Sequence, residues 1–385
     1  MQLRMIYSRL FDFDGREISV GGIQTYLREL ANCAAEWGFD PILYQSSLQP
    51  FERKLGRLTV RGIVAGVDGT NLQTRQTLYA AATKGIESSG DILLFGSDIM
   101  TVPTGYSRAV LIQHGIHWDK PAAGEGRLRA LDRIPVARAF RVARRHLHWI
   151  GLFENCRYHV CVDYNFQNWY RTFRPAEVGT RTWVIPNSAP VLDNDAIQRK
   201  LRGENAQVRV LFARRFEEYR GSRLMGDVVA SLLPQYPHLL VTFAGDGPDR
   251  PWLVKRFAGE PRVTIAKVPF EQRMDLNYEH DISVVPSLGS EGTSLSVAEA
   301  MGAGCAVVAT DVGGITNMVL DEFNGLLIPS DRSQLEQALS RLIHDAGLRR
   351  RLAMNGYAVA CSTLSQFLWR ERWKQVLREI SKSND

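Results

Sequence analysis

Two glutamates, Glu291 and Glu299, are the first residues in this 385-residue chain whose type and spacing point to chemistry. Glu299 follows Glu291 by eight residues, a separation that spans about 12 Å along a helix. Two carboxylates that far apart cannot share a proton or flank one glycosidic bond, which excludes the acid pair of a glycosidase. They could contact two ends of one long ligand, such as the sugar and the ribose of a nucleotide sugar. Taken alone, a pair at this spacing is more often solvated surface.

The elements around these glutamates form a strand–loop–helix–strand unit. An apolar run over 282–285 predicts a buried strand that ends in a Pro-Ser pair. A loop follows, then a helix from about residue 294 to 302 and a second buried strand over 305–310. Ser296 and Glu299 fit a capping box at the start of that helix. Backbone N–H groups where a loop meets a helix suit an anion, most often a phosphate.

The segment PS-x(3)-EG-x(5)-AEAMGAGCAVVATDVGG, residues 286–314, resembles the donor-binding segment of the retaining family 4 glycosyltransferases. The resemblance rests on Glu-x7-Glu followed by Ala-Met, a Gly-rich turn and a strand, and it continues through DEFNGLLIPSDRSQLEQAL. It implies a nucleotide-sugar donor, with Glu291 at the sugar hydroxyls and Glu299 at the ribose. Backbone N–H groups of the loop would help to hold the diphosphate, at Gly292, Thr293, Ser294 and Leu295.

The resemblance also implies an α/β fold, GT-B, in which two Rossmann-like domains face a central cleft. The sequence VIPNS resembles the family's crossover between domains and puts the boundary near Asn187. We therefore predict an acceptor-binding domain over 1–187 and a nucleotide-sugar-binding domain over 188–365. Residues 366–385 are predicted to form a C-terminal helix that packs back on the first domain. The chain is long enough for two separate cores.

A basic pair follows the first strand of the predicted second domain. Relatives usually carry Gly-Arg here, then Lys-Gly five residues after that Arg. Aligned in this way, Arg215 is the family's Arg and Arg220 replaces its Lys, while Arg214 stands where Gly is usual. Two cations at this place would neutralise a departing diphosphate, Arg with bidentate geometry and Lys as a point charge. The alternative is a pair of surface arginines bound to Glu217 and Glu218.

Five further positions match donor contacts of the family. Gly21 and Gly22 open an amphipathic helix and would allow close backbone approach to a phosphate, although a simple turn explains them equally well. In the family, a matching pair contacts the diphosphate or helps to seat the acceptor. His114 ends a predicted strand, where open α/β sheets bind ligands, and matches a histidine near the donor sugar. Lys267 and Val268 fall where relatives hold the nucleotide base.

The net charge of +6 arises in the first half, since residues 1–190 hold 23 Lys and Arg against 17 Asp and Glu. The segment Arg127–Arg145 predicts a basic amphipathic helix that could lie on an anionic membrane surface. A solvated helix face is an equal alternative, and no recognisable motif supports nucleic-acid binding. The residues just before this segment are weaker candidates for acceptor contacts, at His117, Trp118 and Asp119.

The sequence indicates neither a metal nor a separate cofactor. Asp12-Phe13-Asp14 and Asp193-Asn194-Asp195 read Asp-x-Asp, which binds a metal in a different glycosyltransferase architecture. Neither lies in the matching context. Five scattered cysteines show no zinc spacing and fit a reducing cytoplasm. With no secretory signal and no apolar run of 18 residues, we expect a cytoplasmic protein, with the inner face of the membrane as its site if the basic helix binds lipid.

Taken with the resemblance, these patterns imply a retaining, metal-independent transferase with Glu291, His114, Arg215 and Arg220 as catalytic residues. It would move a hexose of the mannose, glucose, N-acetylglucosamine or rhamnose type from a nucleotide-diphosphate sugar to a glycan or lipid-linked acceptor. Cell-surface polysaccharide, lipopolysaccharide or glycolipid synthesis is the expected setting. A nucleotide-sugar hydrolase or epimerase of the same fold, and a catalytically silent membrane scaffold, stay open as alternatives.

Overall fold

The computed structural model describes residues 1–19, 21–86, 90–116, 135–174, 181–203, 207–289 and 291–382. The chain divides into two compact α/β units. The first comprises Met1–His114, Ala122–Ile185 and Arg370–Asp385, and the second comprises Gly115–Pro121 and Pro186–Trp369. No helix within the described ranges has the length and apolar content that crossing a bilayer requires.

The first unit is built on an eight-stranded sheet in the order β3-β4-β2-β1-β5-β6-β7-β8. All neighbouring strands are parallel except the pair β3–β4 at one edge. Inner strands such as ILLF in β5 are buried on both faces, which explains their continuous apolar sequence. The strands are β1 (Gln2–Ile6), β2 (Asp40–Ser47), β3 (Phe51–Leu55), β4 (Leu58–Val64), β5 (Ile92–Phe95), β6 (Ala109–Gln113), β7 (Tyr158–Cys161) and β8 (Arg181–Val184). The helices are α1 (Gly22–Glu36), α2 (Leu72–Thr83), α3 (Pro135–Phe153) and α4 (Tyr164–Arg171).

The second unit is built on a six-stranded, fully parallel sheet in the order β11-β10-β9-β12-β13-β14. The strands are β9 (Val208–Ala213), β10 (Leu239–Ala244), β11 (Val263–Ala266), β12 (Ile282–Val285), β13 (Ala306–Thr310) and β14 (Leu326–Ile328). The helices are α5 (Asn194–Arg202), α6 (Ser222–Leu232), α7 (Arg250–Arg256), α8 (Arg273–Tyr278), α9 (Leu295–Gly302), α10 (Arg332–His344) and α11 (Ala346–Val359). Successive side chains of a strand enter opposite faces, so Val284 packs in one apolar cluster and Val285 in the other.

The last helix, α12 (Gln366–Ser381), contributes to the core of the first unit through its apolar stripe. Trp373 is fully buried and donates a hydrogen bond from its indole Nε1 to the hydroxyl of Tyr26 in α1, at 2.7 Å. Val376, Leu377 and Ile380 are buried on the same helix. The C-terminal residues are therefore structural parts of a unit that begins more than 340 residues earlier in the sequence.

The predicted α/β fold with two Rossmann-like units is confirmed, since both sheets follow the doubly wound strand order. Several element boundaries differ from those that the sequence predicts. The polar composition of 193–207 predicts a linker, but this segment contains α5, because the Asp193 side chain accepts from the backbone N–H of Asp195 and caps that helix. Apolar runs predict strands over 263–268 and 3–10, but β11 ends at Ala266 and β1 ends at Ile6.

Candidate functional site

The candidate site lies at the point in the second sheet where the strand order reverses, between β9 and β12. Crossover connections diverge there, and the loops after the two strands border a crevice that ligands commonly occupy. The two loops meet directly, because the backbone N–H of Leu288 donates to the carbonyl oxygen of Tyr219 at 2.8 Å. Gly221 has a φ of +80°, and a Cβ there would lie 1.9 Å from the carbonyl oxygen of Pro286. Only glycine permits this close approach.

A buried carboxylate lies where these loops meet. Glu291 Oε1 accepts hydrogen bonds from Arg214 Nη2 and Ser287 Oγ, and it forms an ion pair with Arg220 Nη1. Arg214 also donates from Nη1 to Ser287 Oγ at 2.6 Å. The Arg214 side chain is 5% exposed and that of Arg220 is 26% exposed. Two guanidinium groups therefore face one carboxylate, and the cluster carries an excess positive charge.

The pKa of the Glu291 carboxyl reflects two opposing effects. Burial raises the pKa because it disfavours the charged form, but Arg214, Arg220 and the Ser287 hydroxyl outweigh it and hold the pKa at about 2. Glu291 is therefore ionised at neutral pH and has no proton to donate. An ionised carboxylate can only accept hydrogen bonds, which suits it to the hydroxyl groups of a ligand.

The structure places Arg214 at the Glu291 carboxylate and Arg215 away from it. The Arg215 side chain is 67% exposed and its Nε lies 2.6 Å from Glu217 Oε1. Successive side chains of an extended segment point to opposite sides, so only one of two adjacent arginines can face the carboxylate. The surface pairing that stood as the alternative thus describes Arg215, whereas Arg220 pairs with Glu291, and the catalytic roles of both arginines stay predictions.

Glu299 lies in α9 with a side chain that is almost completely buried. Arg273 Nη1 lies 3.6 Å from its Oε1, while Oε2 has no hydrogen-bond partner among the described residues. Burial raises the pKa of Glu299, and Arg273 offsets this effect only in part. A buried acceptor without a partner is costly, and a ligand hydroxyl would relieve that cost.

The predicted phosphate loop leads into the N-terminus of α9. Gly292 precedes it, and Leu295 is the first helical residue. Thr293 fixes the loop, since its hydroxyl accepts from the Asn187 backbone N–H at 2.8 Å and its carbonyl accepts from Asn187 Nδ2 at 2.6 Å. Backbone N–H groups in the first turn of a helix have no partner within the helix and can bind an anion.

The predicted capping box is wrong. Ser294, not Ser296, is the N-cap residue of α9, and its side chain makes no capping hydrogen bond. The Ser296 hydroxyl instead donates to the carbonyl oxygen of Ala213 at 3.1 Å, which ties α9 to the end of β9. The backbone N–H of Ser294 already contacts Met318 Sδ at 3.1 Å, so it is the weakest of the predicted phosphate donors.

Lys267 and Val268 follow β11 and lie at the same carboxyl edge of the sheet. Lys267 Nζ lies 3.5 Å from Asp246 Oδ2, and the Lys267 side chain is 76% exposed. Val268 packs against a small cluster that includes Ala213 at the end of β9. Their assignment to the nucleotide base stays a prediction.

The candidates in the first unit lie at the carboxyl ends of strands or at a helix start. Gly21 is the N-cap residue of α1 in an extended conformation, and Gly22 is its first residue. His114 follows β6, its Nε2 lies 2.9 Å from the carbonyl oxygen of Gly96, and its ring packs edge-on against Tyr26. The donor roles of these residues stay predictions. The remaining candidates lie outside the described residues: His117, Trp118, Asp119 and the start of the segment at Arg127.

Three site residues were missed in the sequence. Arg214 lies six residues before Arg220. It was missed because the family's spacing of five residues selects Arg215 instead. Ser287 lies two residues after the end of β12, a position that favours ligand contact in parallel sheets. No sequence pattern indicates Arg273, because this residue lies in α8 and approaches Glu299 only in the folded structure.

Comparisons with known proteins find similarity to proteins that are named as sugar transferases. Residues 207–345 match the family described as Glycosyl transferases group 1. Sulfoquinovosyl transferase SQD2 of Arabidopsis thaliana is 32% identical over 127 residues, 32% of this chain and 25% of the relative. Phosphatidyl-myo-inositol mannosyltransferase of Mycobacterium tuberculosis is 27% identical over 217 residues, 54% of this chain and 56% of the relative. The matches thus span a quarter to just over half of these relatives' lengths.

Solved structures match nearly the whole chain. Sucrose-phosphate synthase from Thermosynechococcus elongatus is 18% identical with a TM-score of 0.74, and the match covers 99% of each chain. HepE from Anabaena in complex with UDP is 16% identical with a TM-score of 0.65, over 98% of this chain and 100% of that one. At these identities the likeness establishes the fold.

Arg214→Met and Arg215→Met should differ sharply in stability. Loss of Arg214 removes one hydrogen bond to the buried Glu291 carboxylate while Arg220 still compensates its charge, which should cost about 1.5–3 kcal/mol of unfolding free energy. Loss of Arg215 removes an exposed pair and should cost less than about 1 kcal/mol. Urea denaturation of both variants at neutral pH measures the difference. An equal or greater loss in Arg215→Met would contradict the assignment of Arg214 to the buried cluster.

Proposed function

We propose that this chain, which belongs to the glycosyl transferases group 1 family through residues 207–345, is a glycosyltransferase of the GT-B fold that uses a nucleotide-diphosphate sugar. The observation that carries the proposal is the ionised Glu291 carboxylate between Arg214 and Arg220 at the switch point of a parallel sheet. Guanidinium groups match the geometry of phosphate oxygens, and a carboxylate accepts from sugar hydroxyls. Structures of HepE with UDP and with UDP-glucose support this class of donor.

In this proposal, the charged residues of the site contact different parts of the donor. Arg220, which is partly exposed, binds the diphosphate together with Arg214 and stabilises the negative charge that develops as it leaves. Glu291 accepts from hydroxyls of the donor sugar. Glu299 accepts from the ribose through its unpaired oxygen. The N-terminus of α9 adds backbone donors and a partial positive charge.

The reaction we propose is hexosyl transfer with retention of configuration. The bond between the anomeric carbon and the diphosphate oxygen breaks, and the electron pair leaves with the diphosphate. The acceptor hydroxyl attacks the anomeric carbon from the same face and gives its proton to the departing phosphate oxygen. Arginines supply the charge compensation for which other transferases use a metal ion, so we propose a metal-independent enzyme.

The names of several relatives support a proposal for the acceptor class. The mannosyltransferase of Mycobacterium tuberculosis carries phosphatidyl-myo-inositol in its name, and D-inositol 3-phosphate glycosyltransferases and an alpha-D-kanosaminyltransferase also match. We propose a glycan or lipid-linked acceptor and a cytoplasmic role in cell-surface polysaccharide, lipopolysaccharide or glycolipid synthesis. The sugar would be a hexose of the mannose, glucose, N-acetylglucosamine or rhamnose type.

Glu291→Gln should lower the transfer rate about 10²–10³-fold, because a neutral amide loses the charge that faces the donor. The assay combines a panel of nucleotide sugars with candidate acceptors in EDTA and follows the glycoside by NMR, which also reports the anomeric configuration. Glu217→Gln is the matched control, since Glu217 pairs with Arg215 outside the site and should keep full activity.

The other outcomes of this assay would either contradict part of the proposal or favour an alternative function. Full transfer by Glu291→Gln would refute the role of that carboxylate. An inverted glycoside, or activity abolished by EDTA, would refute retention or metal independence. Turnover of the donor without any acceptor would favour a hydrolase or epimerase, and failure to bind any nucleotide diphosphate would favour a silent scaffold.

We further propose that α3 contacts an anionic membrane surface, close to a lipid-linked acceptor. Val136, Phe140 and Leu147 share one face of this helix and are exposed by 78%, 71% and 64%. The helix carries four arginines and no acidic residue, which complements anionic lipid headgroups. The arginines are Arg138, Arg141, Arg144 and Arg145.

Phe140→Ser should weaken binding to vesicles of phosphatidylglycerol and phosphatidylcholine about tenfold, because the exposed ring no longer enters the apolar layer. Phe367→Ser is the matched control, as Phe367 is also 71% exposed but lies outside this helix. Cosedimentation measures both variants. Equal losses in both variants, or no binding of the parent protein, would contradict a membrane contact through α3.

A further inference from the structure

Ser287 occupies a special place in the site cluster, because its hydroxyl links the two oppositely charged partners. It is completely buried and lies two residues after the end of β12. Arg214 Nη1 lies 2.6 Å from Ser287 Oγ, and Ser287 Oγ also contacts Glu291 Oε1. A guanidinium can only donate, so the serine oxygen accepts from Arg214 and its single proton is directed to the carboxylate. The polarity of this chain of hydrogen bonds is thereby fixed.

The backbone of Ser287 is held as firmly as its hydroxyl. Its carbonyl oxygen accepts hydrogen bonds from the hydroxyls of Thr310 at 2.7 Å and Ser330 at 3.0 Å. These come from the end of β13 and from the loop after β14, so two neighbouring segments fix the position of the serine. The Ser287 side chain therefore presents its hydroxyl from a rigid support.

All contacts to the Glu291 carboxylate converge on one oxygen. Arg214, Arg220 and Ser287 are bound at Oε1, and the described residues donate no hydrogen bond to Oε2. A carboxylate offers about four lone-pair directions, two on each oxygen. Without Ser287, the two guanidinium groups could draw the carboxylate into a fork that engages both oxygens. Ser287 adds a third donor to Oε1, and this leaves Oε2 as an accepting atom.

We propose that Ser287 is a positioning residue that orients Glu291, so that Oε1 is reserved for the protein and Oε2 for a hydroxyl of the donor sugar. The proposal rests on the proposed function. Besides Ser287, the groups that face this carboxylate are Arg214 and Arg220, with Tyr219 next to both arginines. The serine acts through the direction of the carboxylate, and a nucleoside diphosphate without a sugar should not sense its loss.

The test compares Ser287→Ala, Ser287→Thr and the control Ser330→Ala. Ser330→Ala removes a hydroxyl that binds the carbonyl oxygen of the same serine but leaves Ser287 Oγ in place. In Ser287→Ala we expect kcat for transfer to fall about tenfold to a hundredfold. A loss of this size corresponds to the free energy of one hydrogen bond to a charged group. The affinity for the nucleoside diphosphate should stay within about twofold, as measured by calorimetry. Ser287→Thr should recover most of the lost kcat. Ser330→Ala should lose less kcat than Ser287→Ala, because Thr310 still holds the Ser287 carbonyl oxygen and Ser287 Oγ is kept.

A donor-free crystal structure of Ser287→Ala makes this test independent of activity. We expect its Glu291 carboxylate to rotate or to take two orientations, while that of Ser287→Thr keeps Oε1 on Arg214. An unchanged carboxylate in Ser287→Ala, an unchanged kcat, or an equal loss of kcat and nucleotide affinity would overturn the positioning role. If the parent protein transfers no sugar, the proposed function fails, and the crystal structures still decide whether Ser287 orients Glu291.

Discussion

A carboxylate buried as deeply as that of Glu291 stays ionised only where cations and hydrogen bonds replace the water it has lost. Here two arginines and a serine do so, and all three bind the same oxygen. The cluster therefore both stabilises the fold and provides groups that can bind a ligand. It joins the loops after β9 and β12, and it leaves an excess positive charge and one accepting oxygen for a ligand.

The topology of the second sheet makes this cluster possible. The strand order reverses between β9 and β12, so the residues that follow these two strands meet without a crossover helix between them. Gly221 permits contact with Pro286 that no side chain would allow. The start of α9 then brings backbone donors to the same edge. Each feature favours an anionic ligand with hydroxyl groups, which is the chemistry of a nucleotide-diphosphate sugar.

Most of the fold could be predicted from the sequence, because buried parallel strands are continuous apolar runs. β12 matches the bounds predicted from its apolar run, 282–285, whereas α5 was missed because a polar sequence gave no sign of a capped helix. In the site, Glu291 and Arg220 could be identified from spacing. Arg214 could not, because two adjacent arginines look alike until the strand before them fixes which one turns inward. Contacts between separate elements, such as Arg273 with Glu299, leave no local pattern in the sequence.

We propose that the Arg214–Glu291–Arg220 cluster forms the diphosphate site of a nucleotide-sugar transferase. Calorimetric titration of the unmodified protein with a panel of nucleoside diphosphates in EDTA, at low and high salt, tests this assignment. We expect one nucleoside diphosphate to bind with a Kd of about micromolar order, without a metal, and we expect added salt to weaken the binding. Absence of binding by every nucleoside diphosphate, or binding that requires a divalent cation, would contradict it.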